Sequence, residues 1–308
     1  MKGQRQRRQC LQFGFIAASG IATALFLCRP ARPQVSYTST TGGQYTQNFN
    51  LLLNSGNDTF DQNNATDANP MNGIVGWYAY RSGIGTQIVA GTGIAGSGNL
   101  YSFGSAGSTD RALGSVGSLE MGNLVWAVRI SNDTGRDITG FSLGYTGEQW
   151  RYSGTASAQT VEFSYAIISD ANLPSSTRLL NLAPTSGFTD LNDLDFTSPV
   201  ISGDPGALNG NAVNRVFTPM TVSATIPAGH DIWFRWNDIN HSGNDHGLAT
   251  DDFYFTATQF QPVPAPPANV SAGIGGLVYL FSVIFRRKRT GKRRPGGWLS
   301  TARKSGTD

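Results

Sequence analysis

The sequence predicts an all-β protein over residues 36–261, a jelly roll or a related sandwich of two antiparallel sheets. Short runs alternate apolar and polar residues, turn-forming clusters separate these runs, and glycine is frequent at 38 residues. Aromatic residues make up 11% of the chain and charged residues only 14%. A disordered chain would carry more charge and fewer aromatics, so we expect a packed core.

The alternating runs predict the individual strands. They lie at residues 124–130, 141–145, 161–167, 222–226, 232–236 and 253–255. A period of two with one apolar face is typical of half-buried antiparallel strands. By this alternation Trp126 and Trp236 face the core, whereas Trp233 lies on the opposite face from Phe234. Clusters of Asn, Asp, Gly and Pro between the runs predict turns.

The charge distribution separates the ends of the chain from its body. The whole chain carries a net charge of +3, but residues 33–261 contain 8 arginines, no lysine and 19 acidic residues, a net charge of −11. An acidic body is a poor partner for nucleic acid, whose binding depends on Lys and Arg at the phosphates. Both cysteines, Cys10 and Cys28, lie near the front, so the body has no disulfide and no thiol chemistry.

The first 33 residues predict an export segment. A basic stretch at residues 2–8 precedes an apolar stretch at residues 11–27, which is the layout of a signal peptide. We expect a signal helix in residues 1–33, and an uncleaved signal anchor remains the alternative.

The end of the chain predicts a membrane-associated tail. A proline-rich spacer begins at residue 262, an apolar stretch at residues 270–285 predicts a transmembrane helix, and basic residues follow. Residues 290–308 predict a disordered basic tail. A simple C-terminal membrane anchor is one interpretation.

This order of spacer, apolar helix and basic cluster also resembles the PEP-CTERM sorting signal of exopolysaccharide-producing bacteria. The motif residues are Val263, Pro264, Ala265 and Pro266, and the basic cluster begins with Arg286 and Arg287. In the family the third motif residue is acidic, whereas Ala265 stands here. The resemblance over residues 262–289 implies an exosortase-type sorting partner, transit through the membrane, and delivery to the cell surface, outer membrane or extracellular matrix.

The body resembles an uncharacterised domain of secreted bacterial proteins. The strings GEQWR at residues 147–151 and HGLATDD at residues 246–252 carry this resemblance. It implies a secreted β-sandwich and no particular activity.

Oxygen-bearing side chains crowd into residues 237–252 and suggest a structural calcium ion. The candidate ligands are Asp238, Asn240, Asp245, Asp251 and Asp252. Calcium takes 6–8 oxygen ligands, often from loops, but the spacing does not match an EF-hand. A solvated turn is the alternative, because turns are built from the same residue types. His241 and His246 are too few to predict zinc.

A hydrolase is a second functional class to weigh. Glycoside hydrolases need two carboxylates across a cleft, and Glu148 is one of only three glutamates. We expect instead that Glu148 pairs with a buried arginine, Arg151 or Arg111, and that Trp150 fills the core. The sequence shows no nucleophile elbow, so we expect no catalytic activity.

Exposed aromatic residues would provide a surface for sugar rings. Trp233 is the strongest candidate for such a platform, followed by Trp77 with Tyr78, although core packing is the alternative for each. Together these features predict an exported, non-catalytic surface or matrix protein that binds or organises exopolysaccharide. The alternatives are a polysaccharide-active hydrolase, and a structural or adhesion protein without a glycan site, in which all the aromatics are buried.

Overall fold

The computed structural model describes residues 34–60, 74–169 and 187–262. The predicted signal segment, sorting motif, transmembrane helix and basic tail lie outside the described residues. In the part of the chain that the structure describes, no helix has the length and hydrophobicity to cross a membrane.

The strands are numbered β1 to β17 along the chain and form two sheets. The seven-stranded sheet contains β1 (Val35–Tyr37), β4 (Trp77–Arg81), β8 (Leu124–Asn132), β10 (Thr160–Ser169), β11 (Thr189–Asp190), β12 (Phe196–Thr197) and β16 (His230–Asp238). The ten-stranded sheet contains β2 (Gln44–Gln47), β3 (Asn57–Thr59), β5 (Gln87–Gly91), β6 (Asn99–Phe103), β7 (Ala112–Val116), β9 (Ile138–Tyr152), β13 (Gly206–Ala207), β14 (Asn214–Val216), β15 (Met220–Val222) and β17 (Gly247–Phe260).

The strand order confirms an all-β sandwich and corrects one detail of the prediction. The seven-stranded sheet has the order β1-β8-β16-β10-β11, with β4 also on β8 and β12 on β10. The ten-stranded sheet has the order β13-β9-β17-β7-β6-β5-β3, with β14 and β15 on β9 and β2 on β17. The pairs β1–β8 and β5–β6 are parallel, so the expectation of two purely antiparallel sheets is wrong at these pairs.

The alternating runs explain where the core lies. Trp126 on β8, Trp236 on β16 and Phe253 on β17 all point between the sheets and are buried. Burial of a large apolar side chain contributes about 1.5–3 kcal/mol, and these rings interlock, with Trp236 and Phe253 at 5.4 Å between centroids. The run at 222–226 is only partly a strand, because β15 ends at Val222 and Ile226 forms an isolated bridge to Ile138.

A short 3-10 helix, Asn192–Leu194, connects β11 and β12 at the margin of the seven-stranded sheet. The hydroxyl of Tyr145 on β9 donates a hydrogen bond to the backbone carbonyl of Leu194. This bond ties the helical turn to the ten-stranded sheet and fixes the edge of the sandwich at which an open pocket lies.

Candidate functional site

The predicted platform at Trp233 is covered. Trp233 does lie on the face opposite Phe234, but it is only 1% exposed. It packs against Tyr78, whose ring centroid is 5.1 Å away, and against the small residues Val125 and Ala127. Alternation along a strand fixes which face a residue occupies but does not determine whether that face is open. The expected exposure of Trp233 and Tyr78 is therefore wrong.

Trp77 is a core residue rather than a surface platform. It is fully buried, it stacks on Trp236 at 5.5 Å between centroids, and its Nε1 donates a 2.9 Å hydrogen bond to the Tyr45 hydroxyl. Residue Trp77 lies on β4, whose pairing with β8 turns the indole inward. The expected exposure of Trp77 is also wrong.

The five predicted calcium ligands lie in two separate places. The first contains Asp238, a buried residue at the end of β16 that accepts a hydrogen bond from the Ser115 hydroxyl inside the sandwich. Burial is the main cause that raises the pKa of Asp238 to about 7, and the nearby charge of Asp245 adds to it. Asp245 in turn accepts a 3.0 Å hydrogen bond from the His241 backbone amide, and the Asn240 amide bonds to Asn123.

The second place contains Asp251 and Asp252 on β17. The register of β17 against β9 shifts between Asp251 and Tyr254, and Asp252 has a left-handed φ of 48°. This β-bulge explains why the two neighbouring acids do not simply alternate between the faces. Asp251 alternates with Ala249 on the outer side of the ten-stranded sheet, away from Asp238, and the bulge begins at Asp252.

These positions bear on the calcium prediction. In residues 34–60, 74–169 and 187–262, no three His, Cys, Asp or Glu side chains converge closely enough to hold a metal ion. The five residues do not form one ligand set, and calcium binding stays a prediction. A fall in Tm on addition of EDTA would support it.

The outer side of the ten-stranded sheet forms a closed surface, here called the covered face. It consists of Tyr101, Phe103, Glu148, Trp150 and Asp251, each of which is at most 5% exposed. The aromatic rings are stacked, with centroids of Tyr101 and Phe103 at 4.9 Å and of Phe103 and Trp150 at 6.1 Å.

Two loops close this face. A Cβ atom at Gly210 would lie 2.3 Å from the Trp150 indole, so only glycine lets the loop at 208–213 approach so closely. That loop also reaches the loop before β7, because the Asn211 side-chain amide donates a 2.6 Å hydrogen bond to Asp110. The covered face is therefore packed under backbone instead of facing solvent.

Glu148 and Asp251 are neighbours on the covered face, and burial dominates their chemistry. Glu148 lies opposite Ala249 in the register, two residues from Asp251. Burial raises the pKa of Glu148 to about 7, while a 2.8 Å hydrogen bond from Trp150 Nε1 counteracts part of this shift. Burial raises the pKa of Asp251 to about 9, and the charges of Asp252, Glu148 and Asp110 add to it.

The partner expected for Glu148 is not the one observed. Arg111 Nε donates to the Ser102 hydroxyl at 2.9 Å, and Arg151 donates to the carbonyl of Ile94 at 2.7 Å. Trp150, and not an arginine, donates the hydrogen bond to the Glu148 carboxylate. The pairing of Glu148 with Arg151 or Arg111 is therefore wrong, whereas the burial of Trp150 is confirmed.

An open pocket lies at the edge of the sandwich where β14 and β15 pair with β9. This edge pocket has a volume of ≈ 290 Å³. It is lined by Asp193, Leu194, Arg215, Val216, Phe217, Thr218, Pro219 and Met220. Ligand pockets usually measure about 300–1,000 Å³, so this one is sized for a small molecule or for one unit of a polymer.

The floor of the edge pocket is aromatic and rigid. The Phe217 ring stacks on Tyr145 at 4.5 Å between centroids, and the Phe217 amide donates a 2.9 Å hydrogen bond to the Tyr145 carbonyl. Thr218 and Pro219 bulge away from β9 between β14 and β15, and Pro219 has no amide hydrogen with which to continue the ladder. The bulge leaves Thr218 and Pro219 exposed at the rim.

Two charged side chains line the edge pocket without neutralising each other. The Arg215 guanidinium lies 4.3 Å from the centroid of the Phe217 ring, a cation–π contact that holds it in place. Both Arg215 and Asp193 are exposed. Among the described residues, neither side chain has a hydrogen-bond or ion-pair partner.

Sequence reasoning missed this pocket, because its parts are far apart in the chain. Asp193 sits in a turn-like stretch and Arg215 in a strand of three residues, too short for an alternating pattern to be visible. The one local signal was Pro219, two residues after Phe217 in a short run that precedes Met220, since a proline near strand residues indicates an edge strand.

Comparisons with known proteins give no close relative. No family model matches the chain, and no curated protein matches it. A tailspike protein of bacteriophage CBA120 is 11% identical, with 58% of this chain and 19% of that chain covered and a TM-score of 0.29.

Two further solved structures are covered almost completely. The CBM22-1 xylan-binding domain of Xyn10C from Paenibacillus barcinonensis is 8% identical over 72% of this chain and 99% of that chain, with a TM-score of 0.32. The K3 cleaved adhesin domain of Lys-gingipain from Porphyromonas gingivalis is 14% identical over 59% of this chain and 92% of that chain, also with a TM-score of 0.32. Likenesses this weak decide neither ligand nor activity.

Proposed function

We propose that this protein is an exported, non-catalytic protein of the cell surface or extracellular matrix that binds polysaccharide through the edge pocket. The observation that carries the proposal is the exposed, unpaired Arg215 held over an aromatic floor in an open pocket. A binding site needs polar groups that face solvent and have hydrogen-bonding capacity left. In the described part of the chain, the edge pocket combines these properties, whereas the covered face does not.

The lining of the edge pocket suits a sugar. Sugar rings present apolar C–H faces and hydroxyl edges, so they need apolar contact and hydrogen bonds at the same place. Val216, 67% exposed, and Pro219 offer the apolar contact, while Arg215, Asp193 and Thr218 offer donors and acceptors. An open pocket at an edge also leaves room for a polymer to continue on either side.

The carboxyl groups favour a non-catalytic role. A glycoside hydrolase needs two carboxyl groups that flank the bond to be cleaved. Glu148 and Asp251 are 4% and 5% exposed and lie beneath Trp150 and the loops, so a polymer has no access to them. We propose that they serve the packing of the covered face.

The location of the protein is proposed from the ends of its sequence. A signal segment at residues 1–33 and a PEP-CTERM-like tail at residues 262–289 would deliver residues 36–261 to the outside. The sorting partner would be an exosortase-type enzyme. Fractionation of cells that express the full chain, and of a variant lacking residues 262–308, tests this: we expect the full chain in the outer-membrane or matrix fraction. Equal distribution of both proteins would contradict it.

A panel of polysaccharides tests the proposed function. Full-length protein is mixed with dextran, galactomannan, xylan, alginate and polygalacturonate, and binding is measured by affinity electrophoresis while polymer length is measured by size-exclusion chromatography. We expect saturable retardation by at least one polymer, no change in polymer length, and binding about tenfold weaker in Arg215→Ala. Folded protein that binds none of the polymers would overturn the proposal, and so would shortening of a polymer.

One observation favours a second candidate, a structural or adhesion protein without a glycan site. Trp77, Trp126, Trp150, Trp233 and Trp236 are all buried, as that alternative requires. It predicts retention of the protein on cells stripped of polysaccharide. The polysaccharide-binding proposal predicts that such cells lose it.

A further inference from the structure

We propose that the edge pocket selects a neutral, hydroxyl-rich sugar unit over an acidic one, with Arg215 donating hydrogen bonds to the sugar and Asp193 accepting them. This inference rests on the proposed function and specifies its ligand. It starts from two opposite charges that line one pocket and yet have no ion pair with each other.

A hydroxyl group can satisfy both charges at once. It donates one hydrogen and accepts others, so neighbouring hydroxyls on one ring can bond to a guanidinium and to a carboxylate together. Hydrogen bonds to charged groups are about twice as strong as those between neutral groups. A uronic acid would satisfy Arg215 but would place a second carboxylate in the pocket of Asp193.

Asp193 is the acidic residue that lines the pocket, and the body of the protein is acidic as a whole. Residues 33–261 carry a net charge of −11. Asp190 and Glu162 act on Asp195, next to the 3-10 helix, but they also interact with the Arg235 guanidinium, which offsets part of their charge. The repulsion of an acidic ligand therefore comes chiefly from Asp193 in the pocket itself.

The remaining lining fits a neutral ring. Val216 and Pro219 are exposed, and the Phe217 ring beneath Arg215 keeps the guanidinium from turning away into solvent. Preorganised polar groups lower the cost of ordering on binding. An apolar rim with a held guanidinium and a carboxylate in the same pocket is a surface on which the C–H face of a pyranose packs while its hydroxyls reach inward.

The test compares neutral with acidic polymers and uses two pocket variants. Affinities of full-length protein are measured for dextran, galactomannan and xylan, and for carboxymethyl-dextran, alginate and polygalacturonate. We expect a neutral polymer to bind best and its carboxymethyl or uronate counterpart to bind at least about tenfold more weakly, since one charged contact is worth about that much. Arg215→Ala should lose about tenfold in affinity for the neutral polymer.

Asp193→Asn separates this inference from the proposed function. The change removes the negative charge and keeps an amide oxygen that accepts hydrogen bonds, so the preference for neutral over acidic polymer should shrink severalfold. Arg136→Ala, a surface arginine that bonds to the Gln261 carbonyl outside the pocket, is the matched control and should leave both affinities unchanged. Arg215→Gln replaces Arg215→Ala if that variant melts below wild type.

The outcomes are distinguishable. Tighter binding of the acidic polymers, lost in Arg215→Ala, would overturn the preference for neutral sugars and leave the proposed function intact. An unchanged preference in Asp193→Asn would also overturn this inference. Absence of binding to every polymer, with the protein folded, would overturn both.

Discussion

The covered face and the edge pocket lie on neighbouring strands, but the first is buried and the second is open to solvent. Glu148 on β9 is paired with Asn214 on β14, and Arg215 is the next residue along. Glu148 points to the outer side of the sheet, where loops pack over it, whereas Arg215 lines the pocket at the sheet margin and stays exposed. Coverage by loops, and not the inner or outer side of a strand, decides which charged group remains available to a ligand.

The same difference shows in the ionisation of the two regions. Burial raises the pKa values of Glu148 and Asp251 to about 7 and about 9, so near pH 7 Asp251 is mainly the neutral acid and Glu148 is only partly ionised. Buried carboxyl groups of this kind contribute to packing and are not available to a ligand as charged groups.

Replacing Trp150 by alanine should cost the most stability. The change removes a 2%-exposed indole that stacks on Phe103, and it leaves the Glu148 carboxyl without its 2.8 Å hydrogen bond. Removal of a buried tryptophan typically destabilises by about 3–5 kcal/mol. Urea unfolding of wild type and variant measures this free energy, and a loss under about 1 kcal/mol would show that the covered face is looser than described.

Asp251→Asn should change how stability depends on pH. Because its pKa is raised to about 9 in the folded state from about 3.9 in the unfolded chain, the folded state holds the proton more tightly. Its stabilising contribution is complete below about pH 3.9 and is lost progressively as the pH rises toward about 9. Asparagine carries no charge at any pH, so the variant does not lose stability through ionisation at this position as the pH rises.

Unfolding free energies at pH 5 and pH 8 test the prediction for Asp251. The quantity to compare is the free energy of unfolding of Asp251→Asn minus that of wild type. This difference should shift in favour of the variant by on the order of 1–3 kcal/mol between pH 5 and pH 8, since one pKa unit corresponds to about 1.4 kcal/mol. A difference between the two proteins that does not change with pH would mean that Asp251 ionises normally and is open to solvent.

Arg215→Ala should have the smallest effect on stability. The guanidinium is exposed, makes no hydrogen bond or ion pair among the described residues, and packs on the Phe217 ring, a cation–π contact worth about 0.5–1 kcal/mol at such sites. We expect the free energy of unfolding to fall by no more than that, while the affinity for the neutral polymer falls about tenfold. A fall above about 2 kcal/mol would show that Arg215 stabilises the fold instead of serving a ligand.

The alternating strand pattern predicted which residues form the core, but it did not predict which residues are exposed. The alternation in residues 124–130 and 232–236 correctly places Trp126 and Trp236 in the core, because a two-residue period is a local property of each strand. It also places Trp233 on the opposite face, but that face is covered by parts distant in sequence. The alternation therefore predicts the face and not its exposure.

The candidate site was less predictable than the fold for the same reason. Asp193 and Arg215 line the same pocket because the 3-10 helix beside the seven-stranded sheet lies near β14, an edge strand of the ten-stranded sheet. Conversely, Asp238 and Asp251 belong to one polar stretch of sequence, and the strands carry them to different faces. Clustering along the sequence predicted a shared site that the register of β16 and β17 does not form.

Hydrogen–deuterium exchange with and without a bound oligosaccharide shows which of the two regions a ligand occupies. Full-length protein is labelled in the presence and absence of fragments of the neutral polymer that binds best. The edge pocket predicts slower exchange at residues 191–195 and 214–220, with little change at residues 99–103 and 247–252 of the covered face. Protection confined to residues 99–103 and 247–252 would contradict the account, because it would show that the covered face opens to the ligand.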